Sequence, residues 1–344
     1  CAMTQKSLSS ETCLGYLSAL QVHAFCRRRG IALATTRHRH FPSKAASRDQ
    51  ANDLTIRTCD PYLPAGIPMP LHCVSSSTST PRSAESRKPH LCRLPLSGNA
   101  LQRWNESILL SSPSLAFIQE ASLRSFVDTL VLGFELCGTY QQKTLATSTV
   151  YGTQPLTSVR KIRGFLERNS RLFGAQRARA AASYLVDGSA SPRETQAALL
   201  LGLPAFYGGY GLGMPSMNYE ISCTPQATAI SGRRTLRCDL FWPEASIAVE
   251  YQSREFHSGD LCRIRDSRRT NALQAMGIAV VGLTNNELES VEATDVIVET
   301  VRKAQGVRFR TAVGNYHARK LRLRRQLGLP LYPYETFAPR PYEE

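Results

Sequence analysis

Two acids in the C-terminal half, Asp239 and Glu250, flank a Pro243-Glu244 break between two runs rich in strand formers, RTLRCDLFW and ASIAVEYQS. The two runs read as a β-hairpin. With its turn centred between Glu244 and Ala245, Asp239 and Glu250 stand equally far from the centre and hence opposite each other. Direct cross-strand partners share a face, with Cβ atoms about 4.5–5.5 Å apart. Carboxylates held that close repel unless a cation lies between them. Mg²⁺ prefers hard oxygen ligands, a carboxylate or two completed by water and substrate phosphate. It polarises a phosphodiester and activates water, and Mn²⁺ is expected to replace it. Gln252 lies two residues beyond Glu250 and so on the same face of the strand. Glu250 interrupts Ile247, Ala248, Val249 and Tyr251, and a carboxylate among such neighbours is costly unless paired or metal-bound. The competing reading is that both acids face solvent on one side of an edge hairpin.

The elements that must hold this pair read as an α/β layer with a mixed sheet. Upstream, Ser191-Pro192 followed by Glu194 forms a capping box before an apolar run, and the helix should stop near Gly202 or Pro204. Residues 206–215 (FYGGYGLGMP) read as a loop. It has no Lys-Ser/Thr after its glycines, so it is not a phosphate-binding loop. Residues 263–276 read as a helix closed by Gly277, residues 278–284 as a buried strand, and 286–304 as one helix with Leu288, Val291, Val298 and Val301 on one face. Towards the N-terminus, helices are expected over 14–29, within 112–140, and over 158–169 and 175–186. Short strands are expected near 69–74 and 91–96, with an exposed Ser/Thr-rich loop between them. The first hundred residues otherwise read as irregular, and there is no internal repeat.

Length and charge narrow the partners. A chain of 344 residues suggests two domains at roughly 100–200 residues each. Forty-two basic residues against 27 acidic ones give +15, and only seven of the 42 are Lys. A GC-rich genome explains the Arg:Lys ratio but not the net charge. The excess favours a polyanion, nucleic acid above all. Residues 302–325 hold nine Lys or Arg and no acid, with Phe309 and Tyr316 among them. They read as a phosphate grip or as a solvated helix face. No apolar run approaches the roughly 18–20 residues of a membrane span, and the first 30 residues lack signal-peptide order. The ten cysteines show no CxxC and no zinc spacing, which fits buried thiols in a reducing cytoplasm.

The residues of the C-terminal half carry a resemblance. CDLFWPEASIAVEYQSREFH followed by RDSRRTNALQAMGIAVVGLT resembles the very-short-patch-repair-like (Vsr-like) branch of the PD-(D/E)XK nuclease superfamily. The positions that match are Asp239-Leu240, Glu250, His257, Asp266, Arg269, Leu273 and Gly277, and the SPRET helix resembles that family's first helix through Glu194. The likeness covers about residues 185–306. It implies a restriction-endonuclease-like mixed sheet flanked by helices, and metal-dependent hydrolysis of DNA phosphodiesters. Carried over, Asp239 and Glu250 bind Mg²⁺ and Glu194 adds a ligand through water. Gln252 stands where the superfamily has Lys, so Arg254 or His257 is left to supply positive charge. The Gly usual shortly after the Glu is replaced by Ser253-Arg254. More loosely, PLHCV, KPHLCRLPLSG, SSPSLAFIQEA, FELCGTY and LPAFYGGYGLGMPSMN resemble uncharacterised bacterial proteins with this domain at their C-terminus, some labelled AbiEi-like type IV antitoxins.

The expectation is therefore an irregular α+β accessory region over 1–110, a helical connector over 111–185, a nuclease domain over 186–310 and a basic helix with a Pro/Tyr-rich tail over 311–344. The expected activity is that of a cytoplasmic DNA endonuclease or nickase. Asp239, Glu250, Gln252, Glu194 and His257 would serve the reaction, and Arg254, Arg269, Arg319, Lys320, Arg322, Arg324 and Arg325 would contact nucleic acid. RNA is the less favoured substrate, and the N-terminal region is a candidate protein-binding part. The rival reading is a regulator or antitoxin-like DNA-binding protein that keeps the fold without turnover, which Gln252 favours. Bland readings stand beside several of these residues. The capping box alone explains Glu194, His257 is a lone histidine, and Asp266 and Arg269 at i, i+3 can simply pair.

Overall fold

The computed structural model describes residues 11–43, 70–77, 85–142, 148–252, 260–306 and 313–331, with side chains of 260–263 left aside. The chain divides into two compact units, Cys1–Leu185 and Val186–Glu344. Both mix helices with sheet. Among the described residues no helix is long and apolar enough to cross a membrane.

The first unit contains β1 (Thr12–Leu14), α1 (Tyr16–Arg28), β2 (Ala34–Thr35), β3 (Leu71–Ser75), β4 (Arg87–Leu91), β5 (Leu101–Arg103) and β6 (Ile108–Ser111). It continues with α2 (Pro113–Ala121), α3 (Phe126–Cys137), β7 (Tyr140–Gln141), β8 (Val150–Tyr151), α4 (Val159–Arg168) and α5 (Ala175–Ala182). Six of the strands form one sheet in the order β2-β5-β6-β1-β3-β4. The described part of the first hundred residues thus contributes strands to this sheet rather than being irregular. Their pattern escapes local reading because the pairings are remote: Cys13 is opposite both Val74 and Leu109. The strand expected near 91–96 lies upstream, over β4, where it runs parallel to β3. The helices of 111–185 pack into this unit, α2 against α1, α3, α4 and α5.

The second unit opens with α6 (Pro192–Gly202), followed by β9 (Ser216–Ser222), α7 (Pro225–Ser231), β10 (Thr235–Trp242) and β11 (Ile247–Gln252). Then come α8 (Asp260–Ala275), β12 (Ala279–Thr284), α9 (Asn285–Glu289), α10 (Val291–Gln305) and α11 (Tyr316–Gln326). The sheet order is β12-β11-β10-β9. β10 is antiparallel to both β9 and β11, whereas β11 and β12 run parallel. The hairpin forms with a single 3₁₀ turn over Pro243–Ala245. Its register pairs Leu240 with Val249, Phe241 with Ala248 and Trp242 with Ile247. Helices α7 and α8 cover Leu236, Cys238, Phe241, Ala248 and Ile278 through Ala227, Ala272 and Leu273.

Three expectations change. β12 is an edge strand, not a buried one: Ile278 and Leu283 are buried, whereas Ala279 and Gly282 are exposed. An apolar run alone does not say whether a neighbour covers its outer edge. The helix expected over 286–304 breaks at Ser290, which is extended and caps α10 by accepting the Ala293 N–H. Thr284 and Glu287 form a separate capping box for α9. Leu288, Val291, Val298 and Val301 are nonetheless all buried. Finally, β9 and α7 were not read from the sequence, although Thr224-Pro225 is a cap followed by a first-turn proline.

Gly277 closes α8 with φ +77°, the Ile278 N–H bonding back to the Leu273 carbonyl. A Cβ there would meet no atom within 4 Å, so substitution tests backbone conformation alone. Gly277→Ala should lower unfolding free energy by about 1–2 kcal/mol, with Gly277→Asn closer to wild type. Denaturant titration measures this, and an alanine variant of unchanged stability contradicts the left-handed cap.

Candidate functional site

Continuing the hairpin register one step beyond Leu240 and Val249 sets Asp239 opposite Glu250. The backbone ladder ends there because Asp239 intrudes: the Tyr251 N–H donates to Asp239 Oδ2 at 2.9 Å. The same row is irregular on the other side. The β9–β10 pairing runs through Cys238 opposite Tyr219 and resumes at Leu240 opposite Met217. Between them Asn218 adopts φ +48°, a conformation Asn tolerates better than most residues. On β11's far side Glu250 is level with Gly282.

Asn218 links this row to α6. Its Nδ2 donates to Glu194 Oε2 at 2.6 Å and to the Gly188 carbonyl at 3.0 Å. Glu194 also accepts the Ala190 N–H at 3.0 Å and the Ser191 hydroxyl at 3.0 Å, while Ser191 Oγ caps the helix through the Glu194 N–H. The Ser191 cap is present, but Glu194 reaches back to the Ala190 N–H rather than to that of Ser191, so the reciprocal half of the expected capping box is missing, and Glu194 lies near enough to Asp239 to feel its charge.

Burial and crowding dominate the electrostatics. Glu250 is 7% exposed. Burial and then the charge of Asp239 push its carboxyl up to about 7, against the opposing pull of Arg269. Asp239 is raised by burial, with Arg269 lowering it. Glu194 is raised by burial and next by Asp239. Cys238 lies beside Glu250, and burial with that neighbouring charge holds its thiol up at about 12, so it is an inert neighbour rather than a nucleophile.

Arg269, on α8, donates through Nη2 to Glu250 Oε2 and to the Arg237 carbonyl. It does not simply pair with Asp266 along its own helix. By geometry Glu250 Oε1 is buried and has no hydrogen-bond partner among the described residues, with the Cys238 thiol and the Asp239 carboxyl beside the group. Gln252 is exposed, and its Nε2 lies 3.6 Å from where a Cβ on Gly282 would stand. The amide thus folds over the row that Glu250 occupies. His257 and Arg254 lie outside the described residues. Among the described residues, no three His, Cys, Asp or Glu side chains are disposed together to hold a metal. Asp239 and Glu250 form a pair, with Glu194 tied back by Asn218.

The basic helix α11 divides in two. Arg322 and Arg325 are exposed. Arg319 donates to the Phe206 carbonyl at 2.9 Å, and its guanidinium lies 5.0 Å from the Phe206 ring centre. Lys320 and Arg324 are buried and are spent within the fold. Lys320 Nζ donates to both oxygens of Asp295, at 2.7 and 2.8 Å. Arg324 donates to the carbonyls of Leu288, Glu289 and Pro330. Neither side chain is presented to a surface phosphate, which corrects their assignment as nucleic-acid contacts. A basic run shows which residues are cationic, but not which ones a helix turns inward.

Asn218, Cys238 and the Arg237 carbonyl were not expected here. Asn218 carries no sequence signal, because its role depends on the kink opposite Asp239. No family model matches the chain, and no solved structure does. The chain is similar to the uncharacterized proteins MT2308 and Rv2248 from two strains of Mycobacterium tuberculosis, 30% identical over 79 residues in each case. The similarity covers 23% of this chain and 27% of each relative, so the chain spans about a quarter of the length of the curated relatives it matches.

Glu250 supplies a pH test. Between its usual value of 4.5 and about 7 the folded protein keeps a proton that the unfolded chain has released. Its contribution therefore weakens folding as pH rises through that window. Glu135 in the first unit, raised by burial to about 7, acts in the same range, so the comparison must be between variants. In metal-free buffer, the melting temperature of Glu250→Gln relative to wild type should rise from pH 5 to pH 8. A difference that does not change with pH contradicts the assignment.

Proposed function

We propose that the second unit is a metal-dependent DNA endonuclease or nickase of restriction-endonuclease-like fold, resembling the Vsr-like branch of the PD-(D/E)XK superfamily. The observation that carries this reading is the buried Asp239–Glu250 row, with Glu194 beside it and one Glu250 oxygen without a hydrogen-bond partner among the described residues. Mutual repulsion and an orphaned buried oxygen are what a divalent cation relieves, and an all-oxygen donor set suits Mg²⁺ or Mn²⁺. Asp239 and Glu250 would hold the ion directly, and Glu194 through water. When bound, the ion supplies Lewis-acid polarisation of the phosphodiester and a more acidic water.

This chain's residues do the rest. The Tyr251 N–H fixes the Asp239 carboxylate through Oδ2. Asn218 orients Glu194. Gln252 offers an amide that can hydrogen-bond a water or phosphate but brings no charge. Arg322 and Arg325 give α11 an exposed cationic face for the DNA backbone. The protein works in the cytoplasm in this reading, and the first unit acts as an accessory domain for DNA or a protein partner. RNA is the less favoured substrate. The second reading, a DNA-binding regulator without turnover, is favoured by Gln252 in place of a cation and by Arg269 already neutralising Glu250.

Plasmid nicking with Mg²⁺ or Mn²⁺ separates the two. The enzyme reading expects metal-dependent nicks that Glu250→Ala reduces by at least about 100-fold. DNA binding with no nicking under either metal selects the regulator. The cationic face has its own test. Replacing Arg322 and Arg325 together by Ala should lower the slope of log affinity against log salt by about 2. An unaltered slope removes α11 from the DNA interface.

A further inference from the structure

Glu250 already holds a cation, and that cation is a side chain. Arg269 reaches from α8 to Glu250 Oε2 and to the Arg237 carbonyl. The two members of this ion pair are unequally buried: the Arg269 side chain is 33% exposed and that of Glu250 only 10%. A group arriving from solvent therefore meets the guanidinium first. Both contacts use Nη2, and the guanidinium carries five N–H donors in a planar fork that matches phosphate. Arg265 and Arg268 on the same helix are exposed, with the acidic Asp266 exposed between them. From the strand side, Gln252 offers no competing charge.

A divalent ion and a guanidinium on one carboxylate repel each other. Glu250 cannot serve both fully while Arg269 stays where it is. We propose that Arg269 is an exchangeable counter-ion that couples DNA binding to metal binding. In the free protein it neutralises Glu250. When DNA binds, the guanidinium moves onto a backbone phosphate beside the site and frees Glu250 for the ion. This rests on the metal reading above and adds an order to it: DNA and metal each favour the other through one arginine. By linkage, the factor by which DNA tightens metal equals the factor by which metal tightens DNA.

The test uses the full chain and reads free Mn²⁺ directly by electron paramagnetic resonance, with and without a phosphorothioate-substituted DNA duplex that resists cleavage. Wild type should bind Mn²⁺ weakly alone and more tightly with the duplex. Arg269→Met should bind Mn²⁺ alone about tenfold more tightly than wild type, the size expected for releasing one charge-assisted hydrogen bond. It should also lose most of the tightening by DNA. Arg269→Lys, which keeps charge without the fork, should fall between them, and near-ultraviolet circular dichroism should show all three proteins folded. If wild type binds Mn²⁺ but Arg269→Met binds it equally or more weakly, the exchange is wrong and the metal site stands. If neither protein binds Mn²⁺ with or without DNA, the metal reading fails and the exchange fails with it.

Discussion

The second unit is organised around a repulsion. Asp239 lies within electrostatic reach of Glu250 on the neighbouring central strand and of Glu194 on α6, and each of the three carboxyls is disfavoured as an anion there. The surrounding structure answers that cost with donors: the Tyr251 N–H on Asp239, Asn218 on Glu194 and Arg269 on Glu250. The answer is incomplete, because Glu250 Oε1 has no hydrogen-bond partner among the described residues. A purely structural row of acids would be cheaper as amides or aliphatics. A buried, crowded and partly unsatisfied set is where a functional site is sought.

The irregular backbone follows from the same constraint. A regular ladder would give the Tyr251 N–H to a carbonyl and leave the Asp239 carboxylate without it. Instead the ladder ends, and Asn218 takes a left-handed conformation on the opposite neighbour. The kink turns Asn218 towards α6, and so joins Glu194 to a strand that is remote in sequence. Arg269 arrives from the other side, on a helix whose end is set by Gly277.

The hairpin, its register, the capping of α6 and the closure of α8 were legible because each is local: strand formers around Pro-Glu, Ser-Pro-x-Glu, a helix ending in Gly. The opposition of Asp239 and Glu250 followed from turn arithmetic alone. What escaped was non-local or two-sided. In the first unit β5 and β6 form a local hairpin, but β1 pairs with β3 and β6 across remote segments, and no local signal marks those pairings. β12 has the composition of a central strand and sits at an edge. Lys320 and Arg324 read as surface cations but are drawn inward by Asp295 and by the carbonyl ends around Leu288 and Glu289. Arg269 was visible as a residue, but not as the counter-ion of Glu250, because that contact needs the helix laid against the sheet.

The most direct measurement is an anomalous diffraction experiment on crystals soaked in Mn²⁺. The account predicts a peak between Asp239 and Glu250, within bonding distance of Glu250 Oε1 and displaced when Asp239 is replaced by Asn. Mn²⁺ density elsewhere, with Arg269 still on Glu250 and no peak in the row at saturating metal, would contradict it.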